Sequence, residues 1–144
     1  MKPTIDHVQI TVKNLAEAEV FYDKLMPLIG FDLRHKVKGR VDAHDFDVIE
    51  YCHDQLVIGF NSPRAAFQND DVHRRKPGSV HHLAFKADSP EEIDKLYPLI
   101  VEAGANIVDP PRFYPQHGEA YYALFFKDPC GIKLEIVHEE RSFS

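Results

Sequence analysis

The chain lacks several features that mark whole classes of proteins. It has no tryptophan, and its two cysteines, Cys52 and Cys130, have no CxxC partner, so we expect reduced thiols rather than a disulfide framework or a zinc knuckle. No apolar run reaches the roughly 18 residues of a membrane helix. Basic residues are outnumbered by acidic ones, 17 to 23, and the formal charge is −6. We therefore expect a cytoplasmic protein with no nucleic acid and no membrane among its partners.

The only basic run, HRRK at residues 73–76, falls in a segment with neither helical nor strand periodicity. Residues 61–79, NSPRAAFQNDDVHRRKPGS, contain two prolines and predict a linker with room for one helical turn. We interpret the basic run as solvated loop surface rather than as a phosphate site.

An internal repeat organises the rest of the chain. Residues 81–104, HHLAFKADSPEEIDKLYPLIVEAG, align with residues 6–30, DHVQITVKNLAEAEVFYDKLMPLIG, at an offset of 75 that places His82 on His7. Each copy of a repeat is one supersecondary unit that needs a partner to bury its apolar face. We therefore expect the functional site where the two copies meet.

Each copy predicts a strand, a helix and further strands. Asn14 followed by Glu17 is a capping box that starts one helix, and Ser89 starts the other. Strands are predicted over residues 5–12, 31–37, 46–51, 56–60, 80–87, 105–108, 121–126 and 132–138, with a proline-rich loop over residues 109–118. We predict one α+β domain over residues 1–144, in which two βαβββ modules, residues 1–60 and 80–140, form curled mixed sheets around a central cleft.

Three residues with metal-binding side chains share one predicted environment. His7, His82 and Glu135 each fall mid-strand, on the face opposite the apolar stripe that a helix would cover. Two imidazoles and a carboxylate in a partly dry cleft are costly without compensation, which a divalent ion (Fe, Mn, Zn or Ni) supplies. The alternative is that each is an ordinary half-buried polar residue. The same alternation turns His81 away from the cleft.

Three segments of the chain resemble the vicinal oxygen chelate superfamily, which includes glyoxalases, bleomycin resistance proteins and extradiol dioxygenases. They read DHVQITVKNLAEAEVFYDKLMPLIGF, VHHLAFKADSPEEIDKLYPLIVEAGANIVDPPRFY and YYALFFKDPCGIKLEIV. The resemblance implies paired βαβββ modules whose first and last strands supply the metal ligands, here His7, His82 and Glu135. It also implies a metal-dependent enzyme for a small substrate with vicinal oxygens, either lyase/isomerase-like or ring-cleaving dioxygenase-like.

The chain departs from the family pattern at the fourth ligand. Glyoxalase I and methylmalonyl-CoA epimerase would place a glutamate or glutamine on the last strand of the first module, but that strand reads LVIGF and offers Val57 or Gly59. Neither residue binds a metal or moves a proton, which disfavours a strict glyoxalase I mechanism. Fosfomycin-modifying thiol transferases have three-ligand sites, but the sequence shows no basic cluster near the site for a phosphonate.

A second departure concerns the acid/base tyrosine of extradiol dioxygenases, which would fall at about Phe125. Tyr121, Tyr122 or His117 could take this catalytic role from the neighbouring strand and loop. The alternative for each is aromatic packing or loop surface.

The rival class is a binding protein without a catalytic metal. Bleomycin resistance proteins resemble this chain in fold and sequester a flat cationic ligand between two subunits, which an acidic chain with aromatic residues near the cleft would suit. The set of two histidines and one glutamate, which such proteins usually lack, favours an enzyme. In both cases we expect a small-molecule ligand and a homodimer, because curled half-barrels often complete each other across a two-fold axis.

Overall fold

Each half of the chain forms one four-stranded mixed sheet with one helix. The computed structural model describes residues 1–143 and divides into two units, Met1–Val72 and a second that starts at His73. In both units the order is strand, helix and three strands, so the predicted βαβββ repeat and the α+β class are confirmed. Within residues 1–143, no helix is long and apolar enough to cross a membrane.

The first unit is built around helix α1. Its elements are β1 (His7–Thr11), α1 (Leu15–Leu28), β2 (Val37–Val41), β3 (Phe46–His53) and β4 (Leu56–Asn61), and its sheet order is β1-β4-β3-β2. The predicted N-cap forms, because the Glu17 N–H donates to the Asn14 side chain at 3.0 Å. The helix buries an aromatic and aliphatic face against the sheet, and Tyr22 stacks on Phe60 with ring centroids 3.9 Å apart.

The second unit repeats this plan. Its elements are β5 (Leu83–Lys86), α2 (Pro90–Glu102), β6 (Asn106–Phe113), β7 (Tyr122–Lys127) and β8 (Lys133–His138), and its sheet order is β5-β8-β7-β6. Ser89 caps α2 by accepting from the Glu92 N–H at 3.1 Å. In each unit the first strand pairs in parallel with the last one, while the other pairs are antiparallel. The last strand is therefore central, which positions Glu135 in the middle of its sheet.

Two predicted segments were wrong. Residues 31–37 do not form a strand: Asp32 accepts from the Arg34 N–H at 2.9 Å and starts a 3₁₀ turn, so the local side-chain bond replaces sheet pairing. The proline-rich loop instead supplies half of β6, an edge strand with register shifts around Asp109. Prolines are tolerated there because an edge strand needs fewer N–H donors. The helical turn predicted in the linker exists, at Ala65–Phe67.

Candidate functional site

Glu135 is the buried acid of the second unit. Its neighbours in β8, Leu134 and Ile136, lie on the apolar face, and strand alternation directs the Glu135 carboxylate to the other face. Only 1% of the residue is exposed. Its Oε1 accepts a hydrogen bond from the Tyr121 hydroxyl, and its Oε2 lies 3.2 Å from His82 Nε2. These two contacts compensate the desolvation of the carboxylate.

His82 reaches Glu135 from just outside the sheet. β5 begins at Leu83, so His82 is not mid-strand as predicted but immediately precedes the strand. Ala84 is the parallel partner of Glu135, which brings the residues before it close to the carboxylate. Alternation does not apply outside the strand, and His81 also faces this region, with its Nδ1 at 2.8 Å from His82 Nδ1. The prediction that His81 turns away was therefore wrong.

These side chains line a cavity of about 460 Å³. Its walls are formed by His81, His82, His117, Tyr121, Phe125, Lys133 and Glu135. His117 comes from the loop between β6 and β7, which folds back because the Tyr114 N–H donates to the Tyr121 carbonyl at 2.8 Å. The structure thus brings together four of the predicted site residues: His82, Glu135, Tyr121 and His117.

The remaining predicted site residues lie elsewhere. The Tyr122 hydroxyl donates to Asp94 of α2, so this side chain points to the helix side of the sheet, opposite to Tyr121. His7 is the first residue of β1 rather than a mid-strand one, and belongs to the first unit. Its Nδ1 lies 2.8 Å from Asp6 Oδ1. Since a carboxylate only accepts, a neutral His7 donates from Nδ1 and keeps the lone pair of Nε2 for a ligand.

The register identifies the counterpart of Glu135 in the first sheet. Gln9 and Ala84 are equivalent under the repeat, and Gln9 pairs with Gly59 as Ala84 pairs with Glu135. The missing ligand position is therefore Gly59 and not Val57. Phe125 is the antiparallel partner of Glu135 and also lines the cavity. Tyr121, one residue before β7, approaches the same carboxylate from the end of the strand.

Two side chains at the cavity, Tyr121 and His81, have shifted pKa values. Burial, and then the hydrogen bond to Glu135, raise the pKa of Tyr121, so its phenol stays protonated at neutral pH and remains a donor. Desolvation lowers the pKa of His81, and the positive charges of Arg74, Lys133 and Arg75 lower it further. The sequence analysis did not predict His81 or Lys133 as cavity residues. For Lys133 one signal existed, since it lies two residues before Glu135 and therefore on the same face of the strand.

The donor atoms present fit part of a metal site. Two ligand atoms that each lie about 2.1 Å from one ion, with a ligand–ion–ligand angle of about 90°, are about 3 Å apart. The distance between His82 Nε2 and Glu135 Oε2 is 3.2 Å, close to this value. Imidazole and carboxylate suit the divalent transition metals. No group of three or more histidine, cysteine, aspartate or glutamate side chains within residues 1–143 is arranged to hold an ion. The second unit therefore offers two ligands, and His7 as the third stays a prediction.

Comparison with known proteins agrees with the fold and with the family resemblance of the sequence. Residues 4–136 match the family model of the Glyoxalase/Bleomycin resistance protein/Dioxygenase superfamily, and the chain belongs to this superfamily. A crystal structure from Bacillus halodurans is similar over 96% of this chain and 97% of that one, with 29% identity and a TM-score of 0.73.

Two further relatives extend this comparison. A glyoxylase/bleomycin resistance protein/dioxygenase domain from Frankia sp. EAN1pec covers 97% of this chain and 100% of its own, at 22% identity and a TM-score of 0.76. The uncharacterized protein YqjT of Bacillus subtilis is 24% identical over 131 residues, which is 91% of this chain and 95% of that protein. The Frankia structure supports the fold, and neither protein's name states a substrate.

Proposed function

We propose that the chain is a divalent-metal-dependent enzyme that acts on a small substrate with vicinal oxygens, by lyase/isomerase-like or dioxygenase-like chemistry. The observation that supports this most is the buried Glu135, whose two oxygens meet His82 and Tyr121 at the wall of one cavity. A carboxylate that is desolvated beside an imidazole in a cavity is an arrangement that functional sites use.

His82 and Glu135 would hold the metal ion, together with His7. A divalent ion at such a site supplies Lewis-acid stabilisation of the negative charge that develops on a substrate oxygen. Of the metals considered, none is favoured by the residues present, since imidazole and carboxylate accept Fe, Mn, Zn and Ni.

The other residues of the cavity have roles that follow from their contacts. Tyr121, protonated because its pKa is raised, fixes the Glu135 carboxylate through its hydroxyl. His117 lies at the cavity wall with its ring 5.2 Å from that of Tyr121, and we propose it as the side chain that exchanges a proton with the substrate. Phe125 forms an apolar wall that excludes water from the carboxylate.

The charge of the cavity disfavours the alternative of a cation-sequestering protein. Lys133 places its ammonium 4.8 Å from the centroid of the Phe125 ring, so an aromatic ring that lines this cavity already has a cation over its face. A homodimer stays a prediction, because curled sheets often complete each other across a two-fold axis.

Metal analysis by inductively coupled plasma on protein purified without a histidine tag tests the proposal. We expect about one equivalent of a divalent metal, or its uptake after incubation with Fe(II), Mn(II), Zn(II) and Ni(II) in turn. His82→Ala and Glu135→Gln should lose the metal, while His35→Ala, which changes an exposed histidine, should keep it. A folded wild-type protein that stays empty with all four metals contradicts the proposal.

A further inference from the structure

The two sheets carry acids on neighbouring strands of equivalent cross-strand rows. In the second sheet, Glu135 of β8 is paired with Phe125 of β7. The equivalent pair in the first sheet is Gly59 of β4 and Glu50 of β3. Residues directly opposite each other in adjacent strands point to the same face, so Glu50 and Gly59 share a face. The acid that the last strand of the first sheet lacks is therefore present on the strand beside it.

The glycine leaves room for the Glu50 side chain. Phe60, the next residue of β4, packs against α1, so Gly59 faces away from the helix. The Cγ atom of Glu50 lies 3.6 Å from where a Cβ on Gly59 would stand. His7 is on this face too, because Gln9 is the parallel partner of Gly59 and His7 lies two residues before Gln9. The first sheet therefore carries an imidazole and a carboxylate on one face.

The neighbours of Glu50 do not neutralise its charge. Its cross-strand neighbours are Gly59 and Val37, and its neighbours on the same face of β3 are Val48 and Cys52. Glu50 is half-buried, and the structure of residues 1–143 shows no hydrogen bond or salt bridge to its carboxylate. A carboxylate that loses water without gaining a partner is costly. A cation bound at this face would offset that cost.

Other half-buried acids do have cationic partners. Salt bridges to lysine or arginine are formed by four of them within residues 1–143: Glu19, Asp23, Asp32 and Glu139. In the same part of the chain, Asp109 is the half-buried acid that shares with Glu50 the lack of a hydrogen bond or salt bridge. Asp109 pairs with Phe125, the partner of Glu135. Both unpartnered acids therefore lie on the equivalent rows that contain Gly59 and Glu135.

We infer that the first unit contributes a carboxylate ligand as well as His7 to the metal ion of the proposed function, and that this ligand is Glu50. The family pattern places a fourth ligand on the last strand of the first unit, and Glu50 lies outside that pattern, on the strand before it. Carboxylate and imidazole suit the same divalent metals. With neutral histidines, the carboxylates of Glu50 and Glu135 together balance the charge of a divalent ion. The inference rests on the proposed function, because it assumes that the chain binds a metal ion.

Calorimetric titration of Zn(II) into the metal-free protein tests the inference, with Glu50→Gln and Glu50→Ala as variants. Both should weaken Zn(II) binding by at least about tenfold, since the loss of a group that only orients a ligand already costs about 10–100-fold. Asp47→Asn is the matched control: it removes a carboxylate from the opposite face of β3 and should leave the affinity unchanged. In urea, neither Glu50 variant should destabilise the metal-free protein, because the carboxylate that it removes has no partner there.

The visible absorption spectrum of the Co(II)-loaded protein distinguishes a ligand from a residue that affects the metal ion indirectly. The spectrum should change in Glu50→Ala, because the geometry around the ion depends on its ligands. Zn(II) binding by the Glu50 variants that equals wild type overturns the inference and leaves the proposed function intact. A weaker affinity with an unchanged Co(II) spectrum also overturns it, since the ligands would then be the same. A wild-type protein that takes up no metal refutes the proposed function, and the inference with it.

Discussion

Gly59 and Glu135 occupy equivalent positions in the two sheets, since Gly59 pairs with Gln9 of β1 as Glu135 pairs with Ala84 of β5. The two units therefore have the same strand order and pairing, but they differ at this position of the last strand, whose side chain points away from the helix. In the first unit, Gln9 and Glu50 lie beside Gly59, with their Cγ atoms 3.4 and 3.6 Å from where a Cβ would stand. The repeat is symmetric in its fold and asymmetric in its chemistry.

Gly59→Ala should be tolerated, with a gain of about 0.5–1 kcal/mol in the free energy of unfolding, because glycine within a strand or helix costs conformational entropy. The contacts that its Cβ would make are ordinary ones. Urea denaturation measures the change. Gly30→Ala is the matched control: Gly30 has φ +107, so alanine there should lose about 1 kcal/mol or more. A loss at Gly59 equal to that at Gly30 would contradict the assigned strand geometry.

Tyr121→Phe removes the hydroxyl that donates to the buried Glu135. We expect a loss of roughly 1–3 kcal/mol in the free energy of unfolding, because a buried acceptor is left with one partner fewer. If Glu135 binds a metal, the affinity should also fall by about 10–100-fold, as for other groups that orient ligands. Denaturation and metal titration measure the two effects.

Tyr122→Phe is the comparison for both measurements. Its hydroxyl bonds Asp94 at the surface of α2, so its loss should cost less than about 1 kcal/mol and leave metal affinity unchanged. Equal effects of the two substitutions would show that the Tyr121 hydroxyl has no special relation to Glu135.

Acid should weaken the first unit through Glu19. Its hydrogen bond to Lys38, and then the bond and charge of Lys36, lower the Glu19 pKa against an opposing effect of burial. A carboxylate with a lowered folded-state pKa contributes stability that is present above its unfolded value, near 4.5, and is lost as the pH falls through the folded-state value. In a series of urea denaturations from pH 7 to pH 3, the midpoint urea concentration should therefore decrease once the pH is below about 4.5.

Glu19→Gln tests the assignment. This variant should be less stable than wild type at pH 7, by about 0.5–1 kcal/mol, and the difference should shrink as wild-type Glu19 protonates. Asp54→Asn, which changes an exposed turn residue, should keep the wild-type pH profile. A difference between Glu19→Gln and wild type that does not change with pH would refute the role of this charge.

Much of the fold was predictable because its signals are local. Asn14 with Glu17 and Ser89 with Glu92 specify helix starts through bonds between residues three apart, and both form. Prediction failed where a local bond or an edge replaced the expected pairing, as at Asp32 and in the proline-containing β6. In the site, alternation correctly directed Glu135 but failed for His81, which lies outside the strand. His82 reaches the cavity as predicted, although it also precedes the strand.

The sequence by itself determined the repeat, the α+β class and the choice of Glu135 and His82 as residues of interest, because periodicity and capping are encoded between near neighbours in the chain. Only the tertiary structure decided which side chains meet: that Tyr121 rather than Tyr122 bonds Glu135, that Gly59 is the vacant counterpart, and that the cavity has basic residues at its wall. These facts depend on strand register and on how loops return to the sheet. A shift of one residue in a strand reverses the face of every side chain, and residues outside strands follow no such rule.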